Sequence, residues 1–174
     1  MLSQGVFLSS RVKMVFAAGM LCMTAIMGPS APVQAEEDVL LTIAAGADEP
    51  LRLDRAAIDQ LPQTEFSTHT QWTEGKIKFS GPTLKDVLEL ADPDLTADSV
   101  VHLLAANQYE VTLDMKLLED DAPIIATRMN DKAFGTRQNG PLWVVFPYEL
   151  DSQYQTESVY SASIWQLIEI RIEK

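Results

Sequence analysis

The sequence predicts an α+β domain: a mixed or largely antiparallel β-sheet with short flanking helices. Three observations point there. Short runs rich in β-branched and aromatic residues recur along the chain, several of them alternating apolar and polar. Between them stand only two or three helix-length stripes, each opened by an Asp or Thr in a capping position. No internal repeat and no low-complexity linker interrupts the chain after residue 35.

In order, residues 39–44 ("VLLTIA") read as the first strand, "GADEP" as a turn and 51–53 as a short strand across from it. Asp54 caps a helix over 55–61, with Ala57, Ile58 and Leu61 on one face, and Pro62 stops it. Residues 64–72 read as a strand, 73–76 as a turn and 77–80 as the next strand. Thr83 caps a helix with Asp86 at its third position, and Leu84, Val87, Leu88 and Ala91 form its apolar stripe. Strands follow at 99–104 and 109–113, then a helical turn capped by Asp114 and running to Leu118. Residues 124–128 form a strand, "MNDKAFGT" a polar turn, 142–146 a buried strand, and 164–172 ("IWQLIEIRI") a closing strand of alternating pattern.

The first 35 residues read as a secretory signal peptide. Arg11 and Lys13 make a positive start, 14–27 an apolar run, and "VQA" at 33–35 a cleavage signal, with cleavage expected after Ala35. The run is short of the roughly 20 residues of a membrane span, so no stable membrane insertion is expected once it is removed. "GML" before Cys22 is a poor lipoprotein signal. Residues 36–174 then form a single domain in an extracytoplasmic, periplasmic setting. Of 13 basic and 25 acidic residues, only Arg11 and Lys13 precede residue 36, so the domain carries 11 against 25, a charge of −14. Such a field repels nucleic acid and anionic lipid; it serves solubility or attracts a basic partner.

The one cysteine, Cys22, lies in the signal segment. The domain therefore has no thiol, which excludes a disulfide scaffold, a cysteine nucleophile, an iron–sulfur cluster and thiolate-held metal. His69 and His102 are the only histidines and lack paired-ligand spacing. No nucleophile-elbow motif is present, and "EDD" at 119–121 lacks the spacing of a calcium loop.

Three blocks in order, "FSGPTLKDVLELA", "AANQYEVTLDMKLLEDDAPIIATRMNDKAF" and "GTRQNGPLWVVFPYE" with the later "SASIWQLIEIRIE", resemble the oxidoreductase molybdopterin-binding domain of sulfite oxidases and related molybdoenzymes. The resemblance covers residues 40–173 and implies the sulfite-oxidase-type fold. In the enzymes a cysteine from the strand region that here reads "FSTHTQW" binds molybdenum; this chain offers Ser67, Thr68, His69 and Thr70 instead. A neutral hydroxyl is no substitute for a soft thiolate, so no molybdenum is expected. The chain is similar to short exported members that lack the cysteine. That branch implies a non-catalytic pterin-binding protein, a sensor acting on the periplasmic sensory domain of a membrane-bound cyclic-di-GMP enzyme. The alternative is a molybdopterin-dependent oxidoreductase, or its subunit, without the usual ligand.

A pterin needs an aromatic platform and an edge of donors and acceptors. Trp72 is read as that platform or as a core tryptophan. At period two, Thr68 and Thr70 share its face, while His69 and Gln71 point the other way. Asn107 and Tyr109 in "AANQY" offer an amide and a phenol; Asn107 is equally a hairpin residue. Arg137 in "TRQNGPLW" offers a fork for a ring edge or carboxylate, or is a solvated loop residue. Arg128 is a weaker candidate of the same kind. Trp143 and Trp165 read as core.

Overall fold

A computed structural model describes residues 38–47 and 49–173. The signal peptide expected over 1–35 lies outside the described residues. The elements are β1 (Leu41–Ala45), β2 (Leu51–Leu53), α1 (Arg55–Gln60), β3 (Thr64–His69), β4 (Lys76–Gly81), α2 (Leu84–Ala91), β5 (Val100–Ala105), β6 (Glu110–Leu113), β7 (Ile124–Ala126), β8 (Arg128–Met129), β9 (Lys132–Ala133), β10 (Trp143–Val145), α3 (Glu157–Ala162) and β11 (Leu167–Glu173). Short 3-10 turns occur at Met115–Leu117, Thr136–Gln138 and Ser152–Tyr154. No described helix is long and apolar enough to cross a membrane.

The strands form a five-stranded sheet β2-β1-β11-β5-β6, a four-stranded sheet β3-β4-β8-β9 and a pair β10-β7. Only β1 and β11 run parallel; every other pairing is antiparallel. The sheet is thus mixed and the helices short and flanking, as expected of this α+β class. Caps behave as read: Asp54 accepts from the Ala57 N–H at 2.7 Å, and Thr83 from the Asp86 N–H at 3.0 Å. Leu84, Val87 and Leu88 of α2 are fully buried.

The four-stranded sheet and the β10-β7 pair meet at the end of β4. Thr127 N donates to Ser80 O at 2.9 Å, and Ile125 N to Pro82 O at 2.8 Å. At this crossing Gly81 lies so close to the Ile125 backbone that a Cβ there would fall 1.9 Å from the Ile125 carbonyl oxygen. Phe79, Trp143 and Phe146 are among the largest side chains fully buried around it, and Phe79 meets Trp143 edge-on at 5.5 Å.

Several boundaries differ from the sequence reading. The strand expected over 64–72 ends at His69, because the Thr70 hydroxyl accepts from the Trp72 N–H at 3.1 Å and bonds the Thr73 hydroxyl at 2.8 Å, which curls the chain into a turn. The alternation that put Thr68, Thr70 and Trp72 on one strand face therefore stops at His69. The polar turn expected after Arg128 is a tight hairpin, β8–β9, with Asn130 and Asp131 at positive φ. Residues 157–162 form a helix, α3, capped by Thr156, where the sequence reading placed no element. The closing strand begins at Leu167 and not at Ile164.

Candidate functional site

Three segments distant in sequence converge on a pocket of about 210 Å³. Trp72 comes from the β3–β4 turn, and Asn107 and Tyr109 from the β5–β6 hairpin. The far wall is Tyr160 and Ser161 of α3, with Ser163 and Trp165 just beyond it. Each segment is fixed locally. The Asn107 side-chain oxygen accepts from the Tyr109 N–H at 3.0 Å, while Gln108 takes a positive φ of 71°. That hairpin is tied to the C-terminal segment by Ala106 N donating to Gln166 O at 2.9 Å. The Tyr109 hydroxyl donates across the pocket to the Ser161 carbonyl at 3.2 Å. Trp165 is held by a backbone bridge to Trp143.

The rings around the pocket pack edge to face. Trp72 lies 5.6 Å from Trp165, 5.8 Å from Trp143, and 6.3 Å from both Tyr148 and Tyr160, with interplanar angles of 63–77°. Trp72 is half-buried. It is at once a wall of the pocket and the outer member of an aromatic core. Trp143 is fully buried, as the sequence reading had it. Trp165, also read as core, is half-buried and lines the pocket.

The predicted residues divide. Trp72, Asn107 and Tyr109 line the pocket; Thr68, Thr70 and Arg137 do not. Thr68 faces inward on β3, 1% exposed, and its hydroxyl donates to the His69 carbonyl. Thr70 is spent on the turn that places Trp72. Arg137 is exposed on the Thr136–Gln138 turn. Gln166 ties that turn to the Trp165 segment, donating from its amide nitrogen to Thr136 O at 3.0 Å. Arg128 is occupied by a two-pronged pair with Asp59 at 2.9 and 2.7 Å, which holds the Asp59 carboxyl below its usual range. Tyr160, Ser161 and Ser163 were not singled out in the sequence; the signal that could have found them is the Thr156 cap ahead of a short helical stripe.

Behind the pocket, polar groups are buried and neutral. The Tyr148 hydroxyl donates to Ser163 Oγ at 2.7 Å, Ser163 Oγ to Val159 O at 2.7 Å, and Trp143 Nε1 to Ser163 O at 3.2 Å. Burial pushes the Tyr148 hydroxyl up to about 12. The folded state therefore holds its proton more tightly than the unfolded chain. That contribution is fully present below the unfolded value near 10 and is lost as pH rises toward 12. Such a shift corresponds to about 2–3 kcal/mol. Tyr154, also pushed up to about 12 by burial and then by its hydrogen bond to Glu119, adds in the same direction. Denaturant midpoints should fall between pH 10 and 12, and Tyr148→Phe should flatten that fall. An unchanged slope in the variant would show that Tyr148 ionises freely.

On the outer side of the Trp72 turn, exposed His69 bonds Glu149 at 2.8 Å, and Lys76 reaches the same carboxylate at 3.1 Å. His102 lies on the other sheet, beside Thr112 and Glu110. Among the described residues no three His, Cys, Asp or Glu side chains form a metal-holding group.

A solved structure, the sulfane dehydrogenase SoxCD from Paracoccus pantotrophus, shares this fold, with a TM-score of 0.58 and 16% sequence identity. The match covers 78% of this chain and 38% of that one, so the chain spans well under half of that protein. No curated protein matches the sequence. A family model for the oxidoreductase molybdopterin binding domain matches residues 29–152. With that match over more than half its length and the sulfite-oxidase-type fold around it, the chain belongs to the oxidoreductase molybdopterin-binding domain family.

Proposed function

We propose that this domain binds a pterin without transforming it, and that the Trp72–Trp165 pocket is the site. One observation carries the reading: two indoles and two phenols surround about 210 Å³ of space with uncharged polar groups between them. A flat, polar heterocycle needs such a setting. The volume lies below the roughly 300–1,000 Å³ of sites for drug-sized ligands, so a single small ring system suits it better than a whole metal-bearing cofactor. The donor set does not suit molybdenum either. Residues 36–174 contain no cysteine, and hydroxyls and carboxamides bind a soft metal centre weakly.

The wider role proposed is that of an exported periplasmic ligand sensor acting on the sensory domain of a membrane-bound cyclic-di-GMP enzyme. Its support is the segment 1–35 in the sequence, the family, and the position of Tyr160. That ring lines both the pocket and the crevice of His69, Gln71 and Glu149. A ligand pressing on Trp72 and Tyr160 thereby bears on an exposed surface that a partner can read.

Calorimetric titration with 6-hydroxymethylpterin, in oxidised and tetrahydro forms, tests the binding. One-to-one binding with quenching of tryptophan fluorescence is expected. No heat and no thermal shift at millimolar ligand would sink the pterin reading. Stoichiometric molybdenum in the purified protein would replace it with an oxidoreductase.

A further inference from the structure

With a pterin in the Trp72–Trp165 pocket, the proposal on which this narrower assignment rests, the chemistry of the lining limits which pterin fits. Among the described residues that line the pocket there is no Asp, Glu, Lys, Arg or His. Arg137 lies outside the lining. Lys76, Arg128 and Arg171 are outside the lining too, and each is paired with a carboxylate: Lys76 with Glu149, Arg128 with Asp59, Arg171 with Glu110. A phosphate entering here would give up its hydration with no counter-charge in return, which is costly. The domain's net −14 opposes its approach as well.

The polar groups are also lopsided. The side-chain oxygen of Asn107 is already bonded to the Tyr109 N–H, leaving its two amide hydrogens as donors. The indole N–H groups of Trp72 and Trp165 donate only, and neither has a partner among the described residues. The Ser161 carbonyl is capped by the Tyr109 hydroxyl. Beside the Tyr160 and Ser161 hydroxyls, which can donate or accept, the Asn107 amide and the two indoles thus add donors only, and a ring presenting a carbonyl and ring nitrogens would meet them.

We infer that the pocket takes a neutral, unphosphorylated ring by its acceptor edge, with Asn107 as a selecting residue, and turns away phosphate esters of the same ring. The test is calorimetry on the mature chain with 6-hydroxymethylpterin and its phosphate monoester, at low and high salt. The ester should bind at least about tenfold more weakly, with a smaller gap at high salt as the repulsion is screened. An ester that binds as well as the alcohol, or better, overturns the inference and points to Arg137 as its partner, while the pterin site itself stands. If neither compound binds, the pterin reading has failed instead. Asn107→Asp keeps the oxygen that holds the Tyr109 N–H but replaces the donor with a charged acceptor. It should retain the melting temperature and weaken the alcohol by about tenfold or more; unchanged affinity overturns the acceptor-edge assignment.

Discussion

Trp72→Ala should lower pterin affinity by about 10- to 100-fold, the loss expected when a stacking ring is truncated. It should not leave stability untouched. The ring meets four other aromatic side chains edge-on, and such pairs contribute about 0.5–1.5 kcal/mol each beyond the area they bury. A fully buried tryptophan costs about 3–5 kcal/mol on truncation. Trp72 is half-buried, so about 2–3 kcal/mol is the expected loss. Trp72→Phe separates the two effects. It keeps most of the edge packing and should recover most of the melting temperature, yet without the indole N–H it should bind less tightly than wild type. A folded Trp72→Ala protein with wild-type affinity would remove Trp72 from the site.

Gly81→Ala is expected to be severely damaging, and more so than alanine at any other described glycine. The added Cβ would lie 1.9 Å from the Ile125 carbonyl oxygen, 2.8 Å from its carbon and 3.0 Å from the Ala126 Cα. All three are backbone atoms, held by the Ile125–Pro82 and Thr127–Ser80 hydrogen bonds. No rotamer change relieves the clash. The sheet and the β10-β7 pair must separate, and a cost above about 4 kcal/mol results, a large share of the roughly 5–15 kcal/mol that holds a domain together. The variant should accumulate as unfolded or insoluble protein. Gly75→Ala is the control: its Cβ meets nothing within 4 Å, but its φ is +70°, so it should lose only about 1 kcal/mol from backbone strain. Equal melting temperatures for Gly81→Ala and wild type would show that the backbones at this crossing can move apart at little cost.

What could be read from the sequence was what is local. Asp54, Thr83 and Asp114 each cap the helix or turn after them, because a cap needs only its own next three residues. Period-two alternation failed at Thr70, where a side-chain oxygen captured the Trp72 N–H and ended the ladder. Asn107 and Tyr109 were accessible as a polar hairpin, and they line the pocket with Trp72. Thr68 and Arg137 had the right chemistry, but burial on β3 and a place on an exposed turn keep them out of the lining. The opposite wall was invisible. Tyr160, Ser161 and Ser163 gain their meaning from the path of α3 and the bridge from Trp143 to Trp165, and nothing in a six-residue helix says which strand it will cross.

The place of β11 bears on how the chain folds as it is made. It fills the middle of the five-stranded sheet, with Thr42 of β1 paired to Glu169 on one side and Leu103 of β5 to Ile170 on the other. Until β11 has been synthesised, β1–β2 and β5–β6 are two separate hairpins, each with an unpaired inner edge. Residues such as Ile43 and Leu103, fully shielded at the end, have no cover until then. Pairings so far apart in sequence form late and slowly. A ribosome carrying most of this domain therefore holds two sticky half-sheets, and a holding chaperone has the whole of translation in which to find them.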